Sequence, residues 1–508
     1  MSVARRPSVG LDFGTSTTLV ASAHGVIPIG TEKAATWMPS LVGYDDDGAL
    51  VTAEAAASLD GNGQVIRSIK RLITGNQEFV QVDLPAGRAS VRTDDLIVEL
   101  LREAERRGSK EGHALTSSLL RLGCPAMWDA RQRRRLLMAA QRAGLPVQLA
   151  TMVDEPVAAG IAWLAANAVE PDRPLRIVVF DMGGGTLDIA VLHVHHKEVA
   201  VLAALGIAEA GDALDDVVAA DLEFELTRVG VDVDVFDDPR PAREQLRAAA
   251  RTAKEELSGT DEHVIILSPR TFGRAAEVWY SREQLNDVFQ PQMDRAEEAV
   301  ELALKVGRIT ELAGSAFDIA RMSVDELVEG VDVVLLSGGM SHIPYVRYRL
   351  RRLFGGSTRV EPATKAPEEA VALGLARAGQ YGRINVFRPP FDILLEWDRG
   401  KESRTIYEAF EPLVGRSQIA GGGDDLRYVR RARDLSLPRS GKGRLRVVSH
   451  SGERLRATMA DRTLDGFPVN FADDRFEFSI YPDGRIRMVD GAGIVDGRVE
   501  DWHRREAD

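Results

Sequence analysis

The chain carries the same short pattern twice. VGLDFGTSTTLVASAHG runs from Val9 to Gly25, and VVFDMGGGTLDIAVLHV runs from Val178 to Val194. In each copy an apolar run reaches an Asp, a Gly and a Thr follow within a few residues, and a second apolar run begins. Glycine breaks between apolar runs are typical of a strand, a tight turn and a returning strand, so each copy predicts a β-hairpin. The repeat therefore predicts two similar halves.

Long helical patterns alternate with short β-branched runs through the rest of the first 380 or so residues. Helices are expected over 130–143, 243–257 and 281–305. This alternation indicates an α/β fold. The arginine run 133–135 lies within the first helix, and beside its apolar residues we interpret it as a solvated face rather than a binding patch.

The composition changes after about Gln380. Helix breakers recur at short intervals, and strand-like alternation appears in RLRVVSH and FEFSIYPDGRIRMV, where a Pro-Asp-Gly turn predicts a hairpin. We expect an α/β domain over 1–382, a linker over 383–400 that includes RPPFDILLEW, and a β-rich domain over 401–508.

Composition narrows the function classes. The chain has 508 residues, of which 44% are apolar, and a net charge of -13, which argues against a nucleic-acid partner. Its one cysteine, Cys124, excludes an intramolecular disulfide and is expected to be a buried structural residue. No run of about 18 uncharged apolar residues occurs, so we expect no membrane partner and a cytoplasmic location.

The two hairpins suit phosphate chemistry. Backbone N–H groups in a glycine turn can close on phosphate oxygens, a nearby Thr hydroxyl adds a donor, and an Asp at the strand end can hold Mg²⁺ through its waters. Two such hairpins facing each other would grip one polyphosphate from both sides. A tight turn without a ligand is the alternative for either copy alone, but the second copy argues against it. Neither a G-x-x-x-x-G-K-[ST] loop nor a helix-opening G-x-G-x-x-G is present.

Five stretches resemble the nucleotide-site motifs of the Hsp70 chaperone family, in the family's order. They are LDFGTSTT, SIKRLITG, MVDEPVAAGIAW, FDMGGGTLD and LLSGGMSHIPYVRYRLRRLFG, and they cover about residues 8–380. The resemblance implies a duplicated, two-lobed actin-like (ribonuclease H-like) α/β ATPase domain followed by a smaller β-rich domain. It also implies ATP or ADP with Mg²⁺, K⁺ as a further candidate, and slow ATP hydrolysis.

The resemblance also implies residue roles. The expected catalytic residues are Lys70, Glu155, Asp181 and Thr186. The expected nucleotide-binding residues are Asp12, Gly14, Thr15, Ser16, Gly183, Gly184, Gly185, Gly211, Asp212, Lys254, Ser258, Gly338, Gly339 and His342. Asp12 and Asp181 are expected to order the Mg²⁺ hydration shell, and Asp188 to lie near a cation.

For two of these residues there is also an explanation that involves no ligand. Glu155 precedes Pro156 at a helix start, where a carboxylate also favours the helix dipole. Lys70 could be a solvated surface charge, but the chain has only nine lysines against 55 arginines and two of the nine fall at motif positions. We therefore expect both residues to serve the site.

The adenosine half of the pattern departs from the family. The family commonly has an arginine stacked on adenine where this chain has His342, an acid where it has Arg251 and a base where it has Glu255. Either the acid and the base have exchanged places and compensate for each other, or these changes weaken adenine affinity or alter the base preference.

Two other clusters are given plain interpretations. His193, His195 and His196 form HVHH, which we interpret as an exposed alternation on a strand rather than a zinc site. The glycines of AGGGDDL, 420–426, follow no strand with a terminal Asp and predict a loop.

The β-rich tail leaves three function classes open. After Val489 the residues are too few and too irregular for the family's helical lid. A chaperone-like ATPase would hold unfolded or extended polypeptide, with a co-chaperone and a nucleotide exchange factor as partners. A nucleotide-switched module would bind one dedicated protein partner. A small-molecule kinase of the same superfamily would need a catalytic-base Asp that the sequence does not locate.

Overall fold

A computed structural model describes residues 6–31, 36–59, 65–84, 87–167, 173–228, 230–273, 276–311, 316–415, 427–449, 454–459, 462–472, 475–482 and 484–499. The predicted loop over 420–426 lies outside these residues. No helix among them is both long and apolar enough to cross a membrane.

The first lobe is built from residues 8–166. Its strands are β1 (Ser8–Phe13), β2 (Thr17–Ser22), β3 (Gly25–Ile27), β4 (Trp37–Pro39), β5 (Val42–Tyr44), β6 (Leu50–Thr52), β7 (Val65–Ile66), β8 (Phe79–Leu84), β9 (Gly87–Arg92), β10 (Leu119–Cys124) and β11 (Met152–Asp154). Its helices are α1 (Ala53–Ala57), α2 (Ile69–Thr74), α3 (Thr93–Lys110), α4 (Ala130–Arg142) and α5 (Glu155–Ala166).

The second lobe is built from residues 175–385. Its strands are β12 (Leu175–Met182), β13 (Leu187–His195), β14 (Glu198–Ile207), β15 (Glu262–Leu267), β16 (Ala276–Ser281), β17 (Val333–Ser337), β18 (Arg359–Pro362) and β19 (Gly382–Asn385). The helices of this stretch are α6 (Gly211–Arg228), α7 (Arg240–Glu256), α8 (Pro269–Phe272), α9 (Arg282–Thr310), α10 (Ala316–Ala320), α11 (Val324–Val328), α12 (Pro344–Phe354) and α13 (Ala370–Arg377).

The main sheets of the two lobes have the same topology. In the first lobe the order is β11-β10-β1-β2-β3, and in the second it is β18-β17-β12-β13-β14, extended by β19. In both sheets the first three strands are parallel, and the next two return antiparallel. The predicted duplication and both predicted hairpins, β1–β2 and β12–β13, are therefore confirmed.

Two helices join the lobes below the cleft between them. Helix α5 leaves first-lobe strand β11 and packs on the second-lobe sheet, whereas α13 follows second-lobe strand β18 and packs on β1 and β2. The two helices also pack on each other, and Gly374 on α13 lies against the backbone of Ala158 on α5. A change in the angle between the lobes would therefore alter the packing of this helix pair.

The predicted helices are present with small shifts in their ends. The expected helices over 130–143 and 243–257 correspond to α4 and α7, and the third helix, α9, continues to Thr310. Helix α4 begins with a capping box in which Asp129 and Gln132 bond each other's backbone N–H groups. The interpretation of 133–135 as a solvated face is wrong for Arg133, which is buried in an ion pair with Asp154.

The remaining strands form two sheets. They are β20 (Phe391–Trp397), β21 (Glu402–Tyr407), β22 (Tyr428–Arg431), β23 (Ser440–Ser449), β24 (Arg454–Leu455), β25 (Ala457–Met459), β26 (Arg462–Leu464), β27 (Phe467–Ala472), β28 (Glu477–Ile480), β29 (Arg485–Asp490) and β30 (Gly493–Val499). One sheet has the order β21-β20-β23-β24 with β27 beside β23, and the other has β22-β28-β29-β30-β25-β26. The predicted hairpin over 476–489 is β28–β29, with Phe478 opposite Met488.

The segment predicted as a linker, 383–400, is largely strand. Strand β19 adds to the second-lobe sheet beside β14, and β20 is an internal strand of the first β-rich sheet, between β21 and β23. The alternating pattern of FDILLEW is that of an ordinary strand, but its position after the α/β region favoured a linker. The division into domains at these boundaries stays a prediction.

Candidate nucleotide site

The two hairpins meet at a cavity of about 710 Å³ between the lobes. Their turns touch directly, because a Cβ atom on Gly184 would lie 2.5 Å from Ser16 Oγ, and one on Gly185 would lie 2.6 Å from Thr15 Oγ1. A Cβ atom at either position would force the Ser16 or Thr15 side chain to move, so glycine favours this close approach. The two turns thus lie side by side in the wall of one cavity, where a single elongated anionic group would contact both.

Lys70 and Glu155 form a buried ion pair that also lines this cavity. Both side chains are less than a tenth exposed. Lys70 is the second residue of α2, and the residue before this helix, Ser68, is in the left-handed conformation. Glu155 is the first residue of α5. Burial acts to lower the pKa of Lys70, but the carboxylates of Glu155 and Asp12 outweigh it and raise that pKa.

The carboxylates of this region carry more negative charge than Lys70 balances. Burial, with Glu155 adding to it, raises the pKa of Asp12 to about 7, and burial raises the pKa of Asp181 well above its ordinary value. A divalent cation near these groups would offset the excess charge. Within the described residues no three His, Cys, Asp or Glu side chains are arranged to ligate an ion directly. The carboxylates of Asp12 and Asp181 line the cavity and are the oxygen donors that a hydrated Mg²⁺ would use together with phosphate oxygens.

The start of α6 fixes the second hairpin turn. The backbone N–H of Gly211 donates to the carbonyl oxygen of Gly183 at 3.1 Å, and that of Asp212 donates to Gly184 at 2.7 Å. These two donors are therefore used inside the protein, and the residues act by holding the turn in place.

The side chain of Asp212 crosses the cleft. Ser68 Oγ donates to Asp212 Oδ2 at 2.5 Å, and Arg71 Nη1 lies 3.4 Å from the same oxygen. Ser68 and Arg71 flank Lys70 in the chain, so the bond fixes the lysine helix of the first lobe to α6 of the second. Sequence analysis did not detect this bridge, because its partners are far apart in the chain and neither stands out alone.

The residues expected at the adenosine end also line the cavity. Lys254 Nζ lies 2.5 Å from Asp215 Oδ1 and donates to the carbonyl oxygen of Gly211 at 3.1 Å. Arg251 Nε donates to the other oxygen of Asp215 at 3.0 Å, whereas Glu255 is exposed. Arg251 thus has its charge partner on α6, and the geometry gives no support to a compensating pair with Glu255.

A glycine turn after β17 closes the opposite wall. Gly338 has φ 80°, and a Cβ atom there would lie 2.4 Å from the carbonyl oxygen of Met182. Gly339 begins a 3₁₀ turn that carries His342, whose Nε2 lies 2.9 Å from Glu368 Oε2. Helix α12 then packs through Val346 and Leu350, both buried as its pattern predicted.

All the expected site residues but one line this cavity. The exception, Asp188, is buried opposite Asp181 on the paired strand and accepts a bond from the backbone N–H of Met127 at 3.0 Å. The cavity has further lining residues that sequence analysis did not select. They include Thr17, Leu19, Trp37, Asp215, Met340, Ile343, Glu368 and Val371.

The other singled-out residues stay outside the site. Cys124 ends β10 in the core, as expected, and burial raises its pKa to about 12, so its thiol is inert. His193 lies 3.3 Å from Glu311, and His195 is exposed at the end of β13, in agreement with the strand interpretation.

Comparison with known proteins agrees with this geometry. The model of the Hsp70 protein family matches residues 97–381, more than half of the chain. A chaperone protein HscA homolog of Acidithiobacillus ferrooxidans is 32% identical over 402 residues, covering 73% of this chain and 58% of the relative. Heat shock protein SSC3, mitochondrial, of Saccharomyces cerevisiae is 29% identical over 398 residues, covering 72% and 57%. Chaperone protein dnaK of Cyanophora paradoxa is 27% identical over 399 residues, covering 72% and 59%.

The duplicated sheets and the glycine turns between them define a two-lobed, actin-like α/β fold. Within that class, the chain belongs to the Hsp70 family. It spans less than two thirds of the length of the curated relatives that it matches.

Proposed function

We propose that the chain binds ATP with Mg²⁺ in the cavity between the lobes, hydrolyses it slowly, and uses the nucleotide state to switch its β-rich region between states that hold and release extended polypeptide. The observation that carries the proposal is the buried Lys70–Glu155 pair beside two glycine turns in contact. A buried lysine with a carboxylate partner is costly to desolvate, and it is explained by a polyanion that needs its charge.

The site residues divide the chemistry of hydrolysis. Phosphoryl transfer needs in-line positioning and positive charge where the transition state spreads its negative charge. The turns at 14–16 and 183–185 hold the phosphates, and Lys70 supplies a fixed positive charge. Glu155, held by that lysine, orients the attacking water. Bound Mg²⁺ supplies further charge to the phosphate oxygens.

The first test separates binding from hydrolysis. Lys70→Ala should abolish ATP hydrolysis while nucleotide is still bound, because the turns that grip the phosphates remain. Lys110→Ala is the matched control, since Lys110 is exposed at the end of α3, outside the cavity. Hydrolysis by Lys70→Ala at the wild-type rate would overturn the assignment.

One buried arginine supports the switching part of the proposal. Arg388 is 2% exposed and donates to the carbonyl oxygens of Trp128 in the first lobe at 2.7 Å, Ala204 in the second at 3.4 Å and Phe410 beyond β21 at 3.3 Å. A single side chain thus contacts both lobes and the β-rich region. A change in the angle between the lobes would strain these bonds and reach the β-rich sheets.

The second test measures the switch. A labelled extended apolar peptide is titrated with the protein in ADP and Mg²⁺ and again in ATP and Mg²⁺, and fluorescence anisotropy is recorded. Tight binding with ADP that weakens with ATP is the expected result. No binding in either state, with ATP hydrolysis intact, would overturn the polypeptide part and favour a switch with one dedicated protein partner.

A further inference from the structure

One end of the cavity between the lobes is walled by a tryptophan that no motif explains. Trp37 lines the cavity and is 44% exposed. Its ring has no stacking or cation–π partner among the residues that the structure describes. Covering the free face of this ring with a flat ligand would remove apolar surface from water and add stacking, both of which favour binding.

The strand register fixes where this ring lies. Trp37 on β4 pairs with Leu19 on β2, and Pro39 pairs with Thr17, the first residue after the turn at 14–16. Paired residues of antiparallel strands share a face, as do residues two apart, so Thr17, Leu19 and Trp37 point to the same side. That side is the cavity, because all three line it. Trp37 therefore lies about 7 Å along the strands from the phosphate turn.

Contacts place Trp37 at the same end of the cavity as His342. The side chain of Thr36, the residue before it, lies near the carboxylate of Glu369. The neighbouring Glu368 lies 2.9 Å from His342 Nε2. A short chain of contacts thus joins the tryptophan of the first lobe to the histidine of the second.

We infer that Trp37 stacks on the nucleobase of the bound nucleotide, so that the first lobe supplies the aromatic wall of the base pocket. The inference rests on the proposed nucleotide site. Among the second-lobe residues that line the cavity, His342 carries the aromatic ring, and an imidazole offers a smaller face than an indole. With phosphates between the glycine turns, a nucleotide extends along the cavity, and its base is the flat group that reaches Trp37.

The test compares a nucleotide with its phosphate chain alone. Dissociation constants for ATP and for inorganic tripolyphosphate, each with Mg²⁺, are measured by calorimetry for the wild type, Trp37→Leu and Trp37→Phe. Stacking of a base on an aromatic side chain contributes about 1–3 kcal/mol, so Trp37→Leu should bind ATP about fivefold or more weakly. Tripolyphosphate affinity should not change, and Trp37→Phe, which keeps a ring, should stay near the wild type.

Tryptophan fluorescence gives a second readout. ATP should change the emission of the wild type and of Trp279→Phe, which removes an exposed ring on β16 outside the cavity. It should change the emission of Trp37→Phe much less. Unchanged ATP affinity in Trp37→Leu, or an equal loss of tripolyphosphate affinity, would overturn the inference while leaving the proposed function standing. A wild-type protein that binds no ATP would overturn both.

Discussion

The contact between α5 and α13 gives a sharp test of the fold. Gly374 lies inside α13, where replacing glycine by alanine ordinarily stabilises a helix by about 1 kcal/mol. In this helix the sign should reverse. A Cβ atom at position 374 would lie 1.7 Å from the carbonyl oxygen of Ala158 on α5.

The size of the effect follows from that distance. Real Cβ contacts are essentially never shorter than 3.0 Å, so α5 and α13 must separate by at least 3.0 − 1.7 = 1.3 Å. The atom that clashes belongs to the backbone and cannot rotate away. Overpacking of this kind costs about 3 kcal/mol at the upper end of the usual range, which leaves a net loss of about 2 kcal/mol. Since unfolding entropy is about 2.1 cal/mol/K per residue, a two-lobed unit of about 380 residues unfolds with about 0.8 kcal/mol/K, and the melting temperature of Gly374→Ala should fall by roughly 2–3 °C.

Thermal unfolding of Gly374→Ala and Gly356→Ala, with and without ATP and Mg²⁺, measures this directly. Gly356 is a fair control because a Cβ atom there would meet nothing within 4 Å. Since α5 and α13 join the lobes, Gly374→Ala should also gain less stabilisation from nucleotide than the control. A melting temperature of Gly374→Ala at or above that of the wild type would refute the reasoning about this helix pair.

Two further substitutions test contacts of the cleft and of the β-rich region. Gly185→Ala would place a Cβ atom 2.6 Å from Thr15 Oγ1 and 3.0 Å from Arg71 Cγ, so ATP should bind about fivefold or more weakly, measured by calorimetry; an unchanged affinity would mean that the turns need not touch. Arg388→Met leaves buried carbonyl oxygens of both lobes and of Phe410 without this donor, so ATP should no longer weaken peptide binding in the anisotropy assay, whereas the exposed Arg404→Met should behave as the wild type. Full nucleotide control in Arg388→Met would show that the coupling takes another route.

Much of the site could be predicted because its chemistry is local. The hairpins at 9–25 and 178–194 each carry their strands, turn and acidic residue within one short stretch. The apolar runs and the glycine breaks between them were therefore enough to identify both hairpins. Lys70 and Glu155 were selected from separate motifs, and the structure pairs them directly. The burial of Arg133 and the strands within 383–400 were not predicted, for one reason. Burial and strand pairing depend on residues distant in the chain, here Asp154 for Arg133 and β14 or β23 for the strands in the predicted linker.

Residue spacing along one strand or helix is enough to predict the duplicated α/β architecture, the glycine turns and the change to β structure after the α/β region. Which residues meet across the cleft depends instead on how the lobes pack. The Asp212 bridge to Ser68, the position of Trp37 beside the His342 end and the contacts of Arg388 with three parts of the chain all join residues with no shared local pattern. Side chains separated by 100 residues or more are brought together by packing of the two lobes, and packing has no signature in a single stretch of sequence.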